Sequence, residues 1–225
     1  MTGYGQFCPV ALGAEVLATR WTPLIVRELL HGSIRFSELQ QGMPRISRNL
    51  LVQRLATLEQ AGIIESRPRA AGRGREYHLT AAGEDLRPVI EALGVWGYKW
   101  AAQTLTPDCL DPGVLLWFIR RRVRTQHLPA ERHVVRFDFH DARRRLYWLV
   151  LRRSEVDVCA IDPGFDVDLR VEATLEALTE VYLGRTTLPA AMRANRVRLA
   201  GRHEACDAFP HWFGSSPFAP ATARG

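Results

Sequence analysis

Four arginines lie close together in residues 67–75, directly after a segment with helical spacing. Guanidinium groups bind phosphate oxygens and can enter a minor groove, so this stretch has the chemistry of a polyanion contact. One side of the preceding segment carries polar or small side chains of the kind that read base edges in a major groove. The residues concerned are Arg48, Asn49, Val52 and Gln53, then Arg67, Arg69, Arg73 and Arg75. Taken alone, they also fit a solvated helix and a solvent-exposed loop.

The elements that must position these side chains are a helix and a hairpin. Three leucines recur at helical spacing and share one stripe that can be buried: Leu51, Leu55 and Leu58. Ser47 is a favourable N-cap and Gly62 a favourable C-terminal residue, so the pattern predicts a helix over residues 47–61. Beyond it the apolar period changes to two in "IIESRPR" and "REYHL", on either side of "AAGRG". This change predicts a β-hairpin with a glycine-containing tip.

Two shorter helices are predicted upstream. The stretch "WTPLIVRELLHG" predicts a helix from Thr22 to His31, with Pro23 in its first turn and Gly32 after its end. The next segment, "FSELQQ", has Ser37 near its start and breaks at Gly42. Helix, turn, helix and hairpin wing, in this order, are typical of a winged helix-turn-helix domain. Its predicted DNA contacts are Ser37, the four helix residues on base edges, and the four wing arginines on the backbone or minor groove.

These motifs resemble the HxlR family of bacterial transcriptional regulators. The matching features are a Cys-Pro start with "RW" before a helix, "RFSEL", "IS" followed by "NLLVQRLATLEQAG", and "YHLTAAG" after the wing. The resemblance covers nearly all of the first hundred residues. It implies a homodimeric DNA-binding protein that acts as a repressor or an activator on double-stranded DNA.

Composition is consistent with a polyanion partner and two domains. The chain has 225 residues, 47% of them apolar, a net charge of +6 and a sequence pI near 9.6. We expect a DNA-binding domain with dimerisation helices over residues 1–105 and a second domain over residues 111–220. The four cysteines are scattered, the sequence shows no basic-then-apolar leader, and no apolar run is long enough to span a membrane. These features predict a soluble, cytoplasmic protein.

Cys8 precedes Pro9 at the predicted start of a helix. A helix N-terminus favours the thiolate, which would suit a sensor of oxidants or electrophiles. Some members of the HxlR family sense such compounds through a cysteine at this point of the motif, and the resemblance extends that role to Cys8. The alternative is a small, buried apolar residue under the first helix.

Helical spacing returns after the wing in "TAAGEDLRPVIEALGVWGYKWAAQTL". The pattern predicts one long helix whose apolar face is too large for a small winged domain to cover. The residues on that face are Leu86, Ile90, Leu93, Trp96 or Gly97, and Trp100. We expect this face to form the dimer with the N-terminal helix beside it, and packing on the second domain is the competing interpretation.

The second domain is predicted to be α+β. After the turn residues "TPDCLDPG", one helix leads into four alternating segments, "HVVRFDFH", "RLYWLVLRR", "EVDVCAID" and "DVDLRVEA". They predict an antiparallel meander with "RLYWLVL" as a central strand and Asp166, Asp168 and Arg170 on a wet face. Two helices, a short strand and a closing helix follow.

That order resembles the sterol-carrier-protein-2 (SCP2) fold over Asp168–Phe213. The resemblance implies an apolar tunnel between sheet and helices, and so a site for a small apolar effector. Its candidate lining residues are equally the residues of an ordinary core. They are Trp117, Phe118, Phe137, Trp148, Leu175, Tyr182, Trp212 and Phe213.

Enzymatic motifs are weak in this chain. The hairpin tip holds only a GxG, which is too little for a phosphate-binding loop, and no GxSxG occurs. The spacing of His203, Cys206 and His211 matches no trusted metal site. We therefore predict no catalytic residues, metal ligands or cofactor. Two alternatives to a regulator stay open. One is a carrier of lipids or small molecules with a vestigial or non-specific DNA domain, and the other is a protein-interaction module, which the arginine-rich wing disfavours.

Overall fold

The computed structural model describes residues 3–70, 72–101, 106–142 and 146–220. The chain divides into two compact units, Met1–Ala101 and Ala102–Gly225. Each has its own hydrophobic core. Within the described ranges, no helix is both long and apolar enough to cross a membrane.

The first unit is mainly helical and carries one hairpin. Its elements are α1 (Pro9–Leu17), α2 (Thr22–Leu30), α3 (Phe36–Gly42), α4 (Arg48–Gln60), β1 (Ile64–Pro68), β2 (Arg75–Leu79), α5 (Ala81–Glu84), α6 (Arg87–Trp96) and a π-helical turn (Gly97–Ala101). The Ser47 hydroxyl caps α4 by accepting a hydrogen bond from the Leu50 amide at 3.3 Å. Gly62 follows α4 with a φ of +69°, a conformation that favours glycine. Both predicted ends of this helix are confirmed.

The core of the first unit forms beneath α4. Leu51, Leu55 and Leu58 are buried there, as their spacing predicts. They pack with Ile25 and Val26 of α2 among others. One face of α4 is thereby fixed against its own unit, and the opposite face is left to solvent.

β1 and β2 form an antiparallel hairpin, with Ile64 opposite Leu79 at one end and Pro68 opposite Arg75 at the other. We call the hairpin, residues 64–79, the wing. The Tyr77 amide donates to the Ile34 carbonyl at 2.8 Å, which joins β2 to the segment just before α3. The wing is thus tied to the helix-turn-helix by backbone bonding.

The long helix predicted after the wing is divided. α5 ends at Glu84, and α6 begins at Arg87 with Pro88 in its first turn. Proline has no amide hydrogen to donate, and its ring would clash with the carbonyl four residues earlier in a continuous helix. This accounts for the break that the apolar pattern alone did not predict.

The second unit is α+β. It comprises α7 (Pro112–Arg120), β3 (His133–Phe139), β4 (Leu146–Leu151), β5 (Val156–Cys159), β6 (Leu169–Ala173), α8 (Leu175–Tyr182), α9 (Leu188–Arg193), β7 (Val197–Gly201) and α10 (His203–Trp212), with 3₁₀ turns at Pro107–Cys109 and Thr125–His127. The Asp111 carboxylate caps α7 by accepting from the Val114 amide at 2.9 Å. The turn residues "TPDCLDPG" therefore lead directly into a capped helix.

The sheet of the second unit has the strand order β5-β4-β3-β6-β7. β3, β4 and β5 form the predicted antiparallel meander, but β6 pairs in parallel with β3, from Val135–Leu169 to Phe139–Ala173. The prediction of a simple meander is wrong at this strand. β4 is an interior strand as predicted, whereas β3 occupies the middle of the sheet.

Asp168 is buried, which corrects its predicted place on a wet strand face. It lies just before β6 and accepts a hydrogen bond from the Val134 amide at 2.8 Å. The Arg202 guanidinium lies 2.7 Å from its other carboxylate oxygen. A carboxylate bonded to an amide and a cation can be buried without a large desolvation penalty. Asp168 therefore closes the junction between β3 and β6.

Candidate nucleic-acid interface

The exposed side of α4 includes Arg48, Asn49, Val52 and Gln53, which we call the recognition face. All four are exposed, and Ser37 on α3 is exposed as well. The Arg48 guanidinium lies 5.3 Å from the centre of the Phe36 ring, a cation–π distance. This contact places the first turn of α4 against the first turn of α3, so the recognition face and Ser37 belong to one region of the surface.

A buried carboxylate fixes the α2–α3 pair that supports this face. Glu28 is fully buried, 2.9 Å from the Arg27 guanidinium, and accepts from the Ser33 hydroxyl at 3.3 Å. Arg27 also donates to the Gly42 carbonyl at 3.4 Å. A Cβ atom on Gly42 would lie 2.2 Å from the Glu28 carboxylate, so only glycine fits without displacing that group.

The turn between α3 and α4 is held by Gln40. Its side-chain amide donates to the Ile46 carbonyl at 2.8 Å, one residue before the Ser47 cap. Ile46 and Met43 are themselves buried. The start of α4 is consequently fixed by hydrogen bonds and packing within its own unit.

The wing arginines have acidic partners that we did not predict from the sequence. Arg67 is paired with Glu65, and Arg69 lies 3.9 Å from Glu76. Arg75 lies 3.9 Å from Glu59 of α4 and donates to the Ser66 hydroxyl. The alternation of Glu and Arg in "IESRPR" was a usable signal for the Arg67–Glu65 pair, because residues two apart on a strand project from the same face. The wing is less cationic than its arginine count indicates.

Arg73 differs from the other wing arginines. It is exposed at the tip, and the described part of the chain contains no ion pair to it. Its neighbours Gly72 and Gly74 have φ angles of +86° and +117°, a backbone path that glycine permits. Arg73 is therefore the wing guanidinium that can meet a phosphate without first leaving a carboxylate.

Glu59 connects α4 to the wing. The Ser66 hydroxyl donates to its carboxylate, as does the Ser66 amide at 3.1 Å. The hydroxyl bond makes the largest contribution to lowering the pKa of Glu59, and the amide bond and the nearby Arg75 act in the same direction. These bonds join α4 to the first strand of the wing.

Cys8 occupies the N-cap position of α1 and is exposed. The nearby backbone amides of Ala11 and Val10 lower the pKa of the Cys8 thiol. The alternative of a buried apolar residue is therefore wrong. The described cysteines form no disulfide.

Apolar side chains are exposed on the last helical segment of the first unit. Leu93, Trp96 and Trp100 each expose more than half of their area, whereas Ile90 on the same predicted face is buried. Beside α1, Phe7 is 98% exposed and Val10 78%. Patches of this kind commonly mark interaction surfaces.

The aromatic candidates of the second unit separate into two groups. Four lie in its buried core cluster, and Phe118 packs against that cluster: Phe137, Tyr182, Trp212 and Phe213 are the four. The Trp212 indole donates to the His127 carbonyl at 3.1 Å, and burial raises the pKa of Tyr182. Trp117 and Trp148 are also buried but lie outside this core cluster, apart from the other lining candidates.

A helix-turn-helix with a hairpin wing and an exposed polar face on its last helix defines the winged helix-turn-helix class. The family model described as "HxlR-like helix-turn-helix" matches residues 16–105. The HTH-type transcriptional regulator YvaP of Bacillus subtilis is 36% identical over 109 residues, which cover 47% of this chain and 96% of YvaP. The chain belongs to the HxlR-like helix-turn-helix family.

Further relatives are regulators of the same kind. The HTH-type transcriptional regulator YkvN of Bacillus subtilis is 31% identical over 102 residues, covering 43% of this chain and 82% of YkvN. The reduced form of the transcriptional regulator YodB from B. subtilis is 30% identical, with a TM-score of 0.39, and covers 44% of this chain and all of that chain. The family match ends at residue 105, so it assigns nothing to the second unit.

Proposed function

We propose that this protein is a sequence-specific DNA-binding regulator that places α4 in a major groove. The observation that carries the proposal is the recognition face, whose side chains are exposed while the other side of α4 is fixed in a core. Asn49 and Gln53 have the amide groups that read adenine edges, and Arg48 has the donors for guanine. The wing arginines then contact the phosphate backbone or the minor groove.

The proposed regulator is a homodimer. Exposed apolar residues on α6, on the following turn and near α1 support this proposal. Covering exposed tryptophans with a partner lowers the free energy of the assembly. In a symmetric dimer two recognition helices bind half-sites about 34 Å apart on an approximately palindromic operator. The domain that does this spans residues 1–105 in our proposal.

For the second unit we propose an SCP2-like domain, residues 111–220, that binds a small apolar effector or contributes to the oligomer. The aromatic core between its sheet and helices supports this proposal, since large apolar side chains line many ligand sites. An effector bound there would change operator affinity roughly 5- to 150-fold if coupling has its usual size. Cys8 is a second candidate for an input, as an electrophile sensor, because its thiol is exposed at a helix N-terminus.

The experiment that tests the proposal is fluorescence anisotropy with the full chain. Duplex DNA from just upstream of its own gene is compared with a scrambled duplex over a series of salt concentrations. We expect a preference of roughly a thousandfold and a steep salt slope. Light scattering on the same sample reports the dimer.

Weak and equal binding to both duplexes, repeated on genomic fragments selected for affinity, would contradict the proposal. It would favour the alternative of a carrier for small apolar molecules. Native mass spectrometry that finds a stoichiometric apolar ligand would then support that alternative directly.

A further inference from the structure

Three side chains meet on the face of the second unit's sheet that is opposite its core, which we call the back face. Arg136 of β3 is opposite Trp148 of β4 on one side and opposite Arg170 of β6 on the other. Their neighbours in sequence, such as Phe137 and Leu149, are in the core. Because side chains alternate along a strand, the three project together from the back face.

Two hydrogen-bond donors in this group are buried without a partner. Trp148 is only 6% exposed, and neither its indole nitrogen Nε1 nor the Arg136 nitrogen Nε has a hydrogen-bond partner among the described residues. Both nitrogens can only donate. Buried donors are almost always satisfied in folded proteins, so an acceptor is expected at this point.

The charges around the two donors favour an anion as that acceptor. Arg136 and Arg170 are directly opposite on adjacent strands, an arrangement that is unfavourable for like charges. Two carboxylates share this face, Asp138 at 3.5 Å from Arg136 and Glu172 opposite Asp138, but the described residues hold no ion pair to Arg170. An anion beside Arg136 would offset the repulsion between the two guanidinium groups.

The same geometry selects among acceptors. A water molecule would accept from the two donors and donate a hydrogen to Asp138, but it would leave the repulsion between Arg136 and Arg170 uncompensated. A doubly charged phosphate would be repelled by Asp138, which is already bonded to the Arg136 Nη2 atom. A carboxylate has one negative charge and accepts from both donors without donating. The Arg136 side chain keeps 23% of its area accessible, but the two donor nitrogens are themselves covered, so a carboxylate reaches them only when the Trp148 ring or the guanidinium group turns aside.

We propose that the back face binds the carboxylate group of a small organic acid, held by the Trp148 indole N–H and the Arg136 Nε–H. Arg170 provides the surrounding positive charge. The site is distinct from the proposed apolar pocket because it lies on the other side of the sheet. It is also independent of DNA binding, so its failure would leave the proposed regulator intact.

The test follows the indole N–H signal of Trp148 by ¹⁵N–¹H NMR on the full chain. The probes are acetate, propionate and benzoate, each titrated against sodium chloride at the same ionic strength. Trp148→Phe identifies the signal, since it keeps a ring and removes the donor. The Trp212 signal is an internal control, because that indole already donates to the His127 carbonyl.

We expect at least one of the three acids to shift the Trp148 signal saturably while the Trp212 signal stays in place. Arg136→Gln should weaken this binding roughly tenfold or more, because a charge-assisted hydrogen bond is lost. Arg198→Gln is the matched control: Arg198 is exposed and lies on the back face at the distant strand β7, opposite Glu172. The affinity of the Arg198→Gln variant for the acid should stay close to that of the wild type.

Three results would overturn the proposal: no shift with any acid, an equal shift with chloride, or equal affinity in Arg136→Gln. If Arg136→Gln fails to fold, Arg136→Lys replaces it, since lysine keeps the charge and lacks the Nε donor. The increase in Tm on addition of the acid gives a second readout. This increase should be smaller in Trp148→Phe. An unchanged rise in that variant would count equally against the site.

Discussion

The recognition face and the wing are held in place by opposite means. α4 is fixed by buried leucines and by a turn that packs Gly42 against the fully buried Glu28. The wing is joined to the helix-turn-helix by the Tyr77–Ile34 backbone hydrogen bond, and its arginine-bearing end is held by the surface Arg75–Glu59 ion pair and the Glu59–Ser66 hydrogen bonds. Buried packing is insensitive to salt, whereas exposed ion pairs contribute about 0–1 kcal/mol and are screened. One element is therefore rigid, and the other can exchange its partners.

This difference indicates how each element would use its arginines and amides on DNA. A rigid helix favours discrimination between bases, because its side chains cannot move to form alternative hydrogen bonds with a wrong base pair. A wing arginine that already has a carboxylate partner contributes little binding free energy when it contacts a phosphate. Arg73 is the exception, because it has no such partner among the described residues. Four substitutions test this contrast between the two elements.

The first breaks the rigid element. Gly42→Ala should lower the free energy of unfolding by about 3 kcal/mol, because its methyl group must displace a buried carboxylate. Urea denaturation measures this. Gly13→Ala is the control, since Gly13 lies in α1 and a Cβ atom added to it would have no neighbour within 4 Å. Equal stability of the two variants would mean that the turn is not tightly fixed.

The second tests the recognition face. Gln53→Ala should reduce discrimination between operator variants by about 1–3 kcal/mol at one base pair and leave the salt slope unchanged. Anisotropy with a set of single-base operator variants measures it. Gln60→Ala removes an exposed glutamine from the C-terminal end of the same helix and should leave discrimination intact. A loss of discrimination that is the same in both variants would argue against the assigned face.

The third tests the wing. Arg73→Ala should weaken binding to all sequences similarly and flatten the salt slope by about one unit. Arg67→Ala should flatten it less, because Arg67 is already paired with Glu65. The measurement is log affinity against log salt concentration for both variants. If Arg67→Ala had the larger effect, the ion pairs of the wing would not limit its contacts with phosphate.

The fourth concerns pH and the joint between the two elements. The pKa of Glu59 is lowered in the fold, so its stabilising effect is complete above the ordinary value of 4.5 and is lost as the pH falls through the folded pKa. Glu59→Gln should therefore have a slightly lower Tm than the wild type at neutral pH, with the difference vanishing in acid. Glu91→Gln is the exposed control. A difference that grows in acid would reverse the assigned sign.

The elements of both units were largely predictable, because local signals specify them. Ser47 and Gly62 mark the ends of α4, and alternation marks the wing and the strands. The order of strands was not predictable in the same way. β6 pairs with β3 across about thirty residues of intervening chain, and alternation does not show which strand is the neighbour.

The candidate site was predictable in its types of residue and less so in its partners. The recognition face followed from the leucine stripe, since the exposed side of a helix is set once its buried side is known. The pairing of Arg75 with Glu59 needed the contact between α4 and the wing, and the burial of Asp168 needed the contact with Val134. Trp148 fits a core by its composition, and only the strand register assigns it to the back face.

The parallel pairing of β3 with β6 also bears on synthesis of the chain. β1 and β2 are separated by a short tip, so the first unit can fold as soon as it leaves the ribosome. β3 emerges about thirty residues before β6, and until residues 169–173 are made one edge of the middle strand has no partner. Slow translation or heat shock in that interval would expose the unpaired backbone groups of that edge to neighbouring chains. Sensitivity to the rate of translation should therefore be greater in the second unit than in the wing hairpin.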